Sequence, residues 1–210
     1  MRALFFGDSI TQGFWDSEGG WVERLRAHYD SIALQDLAHS PTTEIFNLGV
    51  SGDTTRNLLA RVKNETEVRK WHDESPLVAI AIGTNDDLFE GNEQWVTPEE
   101  FRTNLEKILH LLQPVVDRIV LVGNPACDES RTTPVSWGNF HYTNRELERS
   151  EGIIRDVAEA ERLAYIPLFH EFKRRLDAGE DLLADGLHPN NRGHEVIFSI
   201  VKPPLTRLLG

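Results

Sequence analysis

Apolar positions along this chain fall into two rhythms. Predominantly apolar runs occupy residues 2–6, 44–48, 77–82, 118–122 and 163–167. Runs that are apolar without strict alternation read as strands covered on both faces, the pattern of a parallel sheet. Between them, apolar residues recur at steps of three and four, the spacing of one helix face. Trp21, Leu25 and Tyr29 form one such stripe. Leu58, Leu59 and Val62 form a second, after the cap-like start Asp53-Thr54-Thr55. Phe101, Leu105, Ile108, Leu109 and Leu112 form a third. That third stripe follows Thr97-Pro98-Glu99-Glu100, a hydroxyl cap, a proline at a position where no N–H is needed, and an acidic first turn. A fourth helix is predicted over 144–161 with Leu147, Ile153, Ile154 and Val157 inward, although Gly152 weakens it by about 1 kcal/mol relative to alanine. A last helix is predicted over 192–208, interrupted by Pro203-Pro204.

Five strand–helix alternations predict a three-layer α/β fold around one parallel sheet. A length of 210 residues suits a single domain over 1–210, with no linker, internal repeat or low-complexity tract to divide it. The least regular stretch is 124–142, rich in Pro, Gly and Thr and carrying Trp137 and Phe140. A loop of that length in a compact domain is commonly functional. Its aromatic residues are also suited to packing against a second copy of the chain.

Charge restricts the partners. With 22 Lys and Arg against 34 Asp and Glu the formal charge is −12. A general nucleic-acid or anionic-membrane binder needs a basic face, so neither is expected. No apolar run approaches the roughly 18 residues that span a bilayer. The few apolar residues before Gly7-Asp8 fall short of a signal peptide's apolar region of about 7–15. Cys127 is the single cysteine, which rules out an intrachain disulfide and fits a reducing compartment; the cytoplasm is expected. The triplet Asn64-Glu65-Thr66 then has no glycosylation role.

The chemistry sits just past the strands. Ser9, in Gly7-Asp8-Ser9-Ile10, follows the first; Gly52, in Val50-Ser51-Gly52-Asp53, the second; Asn85, in Gly83-Thr84-Asn85-Asp86, the third. Asp185 and His188, in Asp185-Gly186-Leu187-His188-Pro189, follow the fifth. In an open parallel sheet these positions share one rim, where ligands bind. A serine hydroxyl is a weak nucleophile and needs a base, for which His188 is suited. An imidazole in that role needs an acceptor on its other nitrogen, and Asp185, three residues upstream, can supply it. The Ser9 and Gly52 backbone N–H groups and the Asn85 amide are the donors an oxyanion would require.

These four segments, in order and type, resemble the sequence blocks of the SGNH hydrolases, the GDSL-type esterases and lipases. The resemblance extends from residue 7 to 190. It implies a flavodoxin-like sandwich with five parallel strands in the order 2-1-3-4-5. It also implies ester, thioester or sometimes amide hydrolysis with neither metal nor cofactor. The expected reaction is cleavage of a small carboxylic ester through an acyl-enzyme. Ser9, His188 and Asp185 form the triad, and Ser9, Gly52 and Asn85 the oxyanion hole. Asp8, Trp15, Trp95, Trp137 and Phe140 are expected to face the substrate. Short-chain acyl esters, acetylated sugars, lysophospholipids and thioesters all fit that description.

Other readings compete for the same residues. Ser51 also follows a strand, but no base is specified for it, and a backbone-shaping or capping role is expected. Asp185, His188 and His194 match no common zinc spacing, and His194 is expected to be exposed or capped at the start of the last helix. Asp86 is expected to receive nearby backbone donors. Residues 16–18 and the charges over 145–161 are expected to be solvated. The rival from another class is a non-catalytic flavodoxin-like protein that binds an anion, nucleotide or carbohydrate. It lacks the Gly-x-Gly-x-x-Gly pattern and a P-loop lysine, and leaves Asp185 and His188 without a role.

Overall fold

The apolar runs assemble into a five-stranded parallel sheet. A computed structural model describes residues 1–38, 42–72 and 74–209. In chain order the elements are β1 (Arg2–Gly7), α1 (Ser9–Gln12), α2 (Gly20–Ala33), β2 (Glu44–Gly49), α3 (Thr55–Glu67), β3 (Leu77–Ala81), β4 (Phe89–Glu90) and β5 (Glu93–Gln94). They continue with α4 (Pro98–Leu112), β6 (Arg118–Val122), α5 (Glu129–Thr132), β7 (Phe140–His141), α6 (Asn144–Ala160), β8 (Ala164–Ile166), α7 (Phe169–Asp177) and α8 (Asn191–Leu209). The main sheet has the order β2-β1-β3-β6-β8, which is 2-1-3-4-5 when only its own strands are numbered. Every pairing in it is parallel.

Alternation along β1 shows how the three layers are held. Ala3 and Phe5 point into one core with Trp21, Leu25, Phe172, Val196 and Val201, drawn from α2, α7 and α8. Leu4 and Phe6 point into the other with Leu58, Val62, Leu105, Ile108 and Ile154, drawn from α3, α4 and α6. Both sets are fully or almost fully buried, and each large apolar side chain so placed contributes about 1.5–3 kcal/mol. The covered sheet explains why its strands read as continuous apolar runs.

Local chemistry sets the helix starts. The Thr97 hydroxyl accepts from Glu100 N at 3.2 Å and Pro98 opens α4. The Thr143 hydroxyl accepts from Glu146 N at 3.4 Å at the head of α6. Thr54 N donates to the Asn57 side chain at 3.0 Å to start α3.

Several expectations are corrected. Pro203 and Pro204 do not interrupt α8, which runs through them. Pro203 is exposed, while Val196, Ile197, Val201, Leu205 and Leu209 are buried along the inner face; that burial outweighs the roughly 3 kcal/mol cost of a proline in a helix interior. The stretch 124–142 is not one loop. It holds α5 and β7, and β7 pairs with β4 in a small antiparallel sheet of order β5-β4-β7. The charges over 145–161 are not all solvated, because Glu146 and Glu151 are buried. Glu151 accepts from Asn124 N at 2.9 Å, Leu168 N at 3.0 Å and the Tyr165 hydroxyl at 2.5 Å. Asp16 is likewise withdrawn from solvent by an ion pair with Arg24. Among the described residues no helix is long and apolar enough to cross a membrane.

Candidate active site

Ser9 stands at the turn from β1 into α1. Asp8 caps that helix, its Oδ1 accepting from Ile10 N at 2.9 Å. The turn requires glycine at position 7: a Cβ there would lie 2.1 Å from Thr11 Oγ1 and 2.3 Å from the Ala81 carbonyl. The chain can therefore bend sharply enough to lift the Ser9 hydroxyl out of the sheet end.

That hydroxyl lies 3.0 Å from His188 Nε2. On the other side of the ring, His188 Nδ1 lies 2.7 Å from Asp185 Oδ2. Asp185 Oδ1 accepts from Leu187 N at 3.0 Å and His188 N at 2.8 Å, so the carboxylate is held by the turn that carries the histidine. Ala184 N donates to the His188 carbonyl at 2.8 Å, and Arg131 donates to the carbonyls of Leu183 and Ala184. Burial alone would raise Asp185. The hydrogen bonds and charge of His188, with the Leu187 N–H, outweigh it and hold the carboxyl well below the usual range. Asp185 is thus ionised and oriented toward Nδ1, as a triad carboxylate must be.

The donors lie nearby. Gly52 has φ +84°, and a Cβ on it would meet nothing within 4 Å. Backbone conformation, rather than crowding, demands glycine there. Asn85 is buried; its Nδ2 donates to the Asp53 carbonyl at 3.0 Å and its Oδ1 receives the Tyr142 hydroxyl at 3.3 Å. These two bonds fix the amide orientation and leave the second Nδ2 hydrogen available. Burial, ahead of the Asp8 and Asp185 charges, pushes the Tyr142 hydroxyl up, so it remains a donor.

Ser9, Gly52, Asn85, Asp185 and His188 open on one cavity of about 410 Å³, walled by Trp15, Trp95, Trp137 and Phe140 together with Phe14, Leu88 and Tyr142. Trp137 lies 5.7 Å from Phe140 and 6.5 Å from His188, ring centre to ring centre. A larger cleft of about 540 Å³ lies beside Cys127, Arg131 and Lys173. Burial pushes the Cys127 thiol up to about 11, which makes it a poor nucleophile at neutral pH. The smaller cavity is the one that brings a serine hydroxyl, an imidazole and amide N–H groups together.

Not every expected residue arrives there. Asp8 is 1% exposed and sits beneath the nucleophile, where a cap must be, so it does not face the cavity as expected. Ser51 does reach the cavity, but its N–H is taken by Gln12 Oε1 at 2.9 Å, and Thr54 is the cap of α3. Asp86 receives Thr55 N at 3.0 Å, as expected. His194 is not exposed at the start of α8. It is fully buried, with Nε2 3.4 Å from the Phe14 carbonyl, and burial pushes it down to about 4. Phe14, whose ring centre is 5.2 Å from that of His188, and Tyr142 are site residues that sequence reasoning missed.

A model of the GDSL-like lipase/acylhydrolase family matches residues 5–196. The chain belongs to that family. Among its GDSL-like relatives, the isoamyl acetate-hydrolyzing esterase of Saccharomyces cerevisiae is 25% identical over 93% of this chain and 82% of its own length. An arylesterase of Vibrio mimicus is 26% identical over 99% of this chain and 90% of its own. The crystal structure of a lipolytic G-D-S-L family protein from Veillonella parvula superposes with a TM-score of 0.77 at 20% identity, covering 99% of each chain. At that identity the superposition speaks for the fold. The GDSL-like acylhydrolases are carboxylic ester hydrolases, and this chain is an enzyme of that class.

Proposed function

We propose that the protein hydrolyses small, uncharged carboxylic esters through an acyl-enzyme on Ser9. Ser9 Oγ attacks the ester carbonyl carbon while His188 Nε2 takes its proton. Asp185 holds Nδ1–H and offsets the charge of the imidazolium. The oxyanion that forms accepts hydrogen bonds from Ser9 N–H, Gly52 N–H and Asn85 Nδ2. Collapse of the tetrahedral intermediate breaks the bond to the alcohol oxygen, which leaves with the proton from His188. Water then repeats the sequence on the acyl-enzyme, with His188 as base, and releases the acid and free Ser9.

The observation that carries this reading is the continuous relay Asp185–His188–Ser9, with spacings of 2.7 and 3.0 Å, at the floor of an aromatic cavity. The substrate range follows from the same walls. Four aromatic side chains besides Tyr142 and Phe14 face a space of about 410 Å³, and no lysine or arginine lines it among the described residues. Such a cavity favours an aryl or short branched alkyl group and offers no partner to a phosphate head group. The names of the yeast and Vibrio relatives agree with that range.

A fluorophosphonate probe, which reacts only with an activated serine, should label wild type at Ser9 and leave Ser9→Ala unlabelled. Initial rates on phenyl acetate, isoamyl acetate, acetylated xylo-oligosaccharide and a lysophosphatidylcholine should rank the first two highest. Absence of labelling in the wild type would return the protein to the non-catalytic binding class. Preference for the lysophospholipid would overturn the substrate assignment alone.

A further inference from the structure

Trp15 is more than half exposed, at 59%, yet its backbone sits at φ +65°. A bulky non-glycine residue in the left-handed region is strained, and such strain persists only where the surroundings impose it. Burial does not account for a conformation this unfavourable, because the residue is more than half exposed. Two contacts do. The indole Nε1–H points at Asp185 Oδ2 from 3.3 Å, the same oxygen that receives His188 Nδ1. The ring also packs on Phe14, centre to centre 4.7 Å, and Phe14 in turn packs on His188.

The segment that presents Trp15 is pinned on both sides. Gly13 N and Phe14 N both donate to the Ser9 carbonyl, at 3.1 and 3.0 Å. Ser17 N donates to Asn191 Oδ1 at 3.3 Å, and Asp16 is tied to Arg24. The buried His194 ring closes on the Phe14 carbonyl from α8. Between these anchors the chain has little freedom to relax the left-handed residue.

We infer that Trp15 is a positioning residue of the triad: its indole N–H shares Asp185 Oδ2 with His188 and holds the carboxylate in register with the imidazole. The inference rests on the ester-hydrolase reading above and adds to it a role for Trp15 besides lining the cavity. Four donors converge on one carboxylate, two on each oxygen: Leu187 N and His188 N on Oδ1, His188 Nδ1 and Trp15 Nε1 on Oδ2. A donor on Oδ2 stabilises the ionised carboxylate and tempers the basicity it lends to His188. Removing that donor leaves Asp185 a stronger acceptor and His188 a stronger base.

Trp15→Phe keeps an aromatic ring against Phe14 and deletes the N–H together with part of the indole's surface. The acid limb of kcat/KM on phenyl acetate should move to higher pH by about half a unit. At the plateau kcat should fall about threefold to tenfold, with KM changed by less than about twofold. The downfield proton resonance of His188 Nδ1 should shift with the profile. The other titratable and charged groups facing the pair, Asp8, His194, Tyr142 and Arg131, are unaltered in the variant. A raised KM with an unmoved pH profile and resonance would make Trp15 a substrate wall only and overturn the proposal. Fluorophosphonate labelling run alongside separates the two failures: a wild type that does not label sinks the hydrolase reading itself, whereas normal labelling with an unmoved Trp15→Phe profile sinks only this role.

Discussion

Asn85 illustrates how a residue identified by its block in the sequence still depends on one that was not. Its amide is clamped at both ends, by the Asp53 carbonyl and the Tyr142 hydroxyl, so that one N–H remains for the oxyanion. Asn85→Ala should therefore lower kcat by about 10²–10³, the scale of a single oxyanion donor. Tyr142→Phe leaves the amide in place but frees its Oδ1 end. It should lower kcat by about tenfold with little change in KM, since the lost term is orientation rather than substrate contact. Steady-state rates on phenyl acetate check both, and a Tyr142→Phe enzyme with wild-type kcat would remove the clamp from the mechanism. That the Ser9 hydroxyl, the His188 ring and the Asp185 carboxylate come together was readable because each lies in a distinctive block after a strand. Tyr142 was not singled out, because it lies just past the two-residue strand β7, where no period marks it. Phe14 and His194 had no signal either, because their meaning lies in what the far end of the chain brings against them.

At the scale of elements, the long stripes and caps were readable and the short pieces were not. Helix α4 begins at the threonine that its sequence marks and α6 within the predicted bounds, and their apolar residues are those the spacing picks out. Strands β4, β5 and β7 have two residues each, too few to show any period, and they become strands only by pairing with one another. Helix α7 carries Phe169, Phe172 and Leu176 at steps of three and four, a stripe overlooked among its charges. Gly152 was a reason to doubt α6, and the helix runs through it unbroken. A Cβ at that position would meet nothing within 4 Å, and its φ is not positive. Gly152→Ala should thus stabilise the protein by about 0.5–1 kcal/mol, by helix propensity and by restricting the unfolded chain. For a domain of this size the melting temperature should rise by about 2–4 °C. A fall on differential scanning calorimetry would mean that α6 tolerates no side chain there.

For the molecule as a whole, the telling quantity is how stability depends on pH, because groups packed around the site pull it in opposite directions. Burial pushes Asp8 up from 3.8 to about 6, against the opposing pull of the Ile10 N–H and His188. Between those values the folded state holds a proton that the unfolded state has released, so Asp8 makes stability fall as pH rises. Asp86, also raised to about 6 chiefly by burial, acts in the same sense. His194 does the reverse: lowered from 6.5 to about 4 by burial, it makes stability rise with pH across nearly the same window. The total curve between pH 4 and 6.5 hides both effects, but a difference curve separates them. Asp8→Asn keeps a good capping oxygen for Ile10 N and removes the titration. Its stability relative to wild type should climb from pH 4 to pH 8 by up to about 3 kcal/mol, the free-energy equivalent of Asp8's shift. Urea unfolding at a series of pH values measures this, and a difference that stays flat would show Asp8 to be ionised at little cost. The Asp8→Asn variant should therefore be the more stable protein at pH 8, where wild type carries the buried carboxylate ionised.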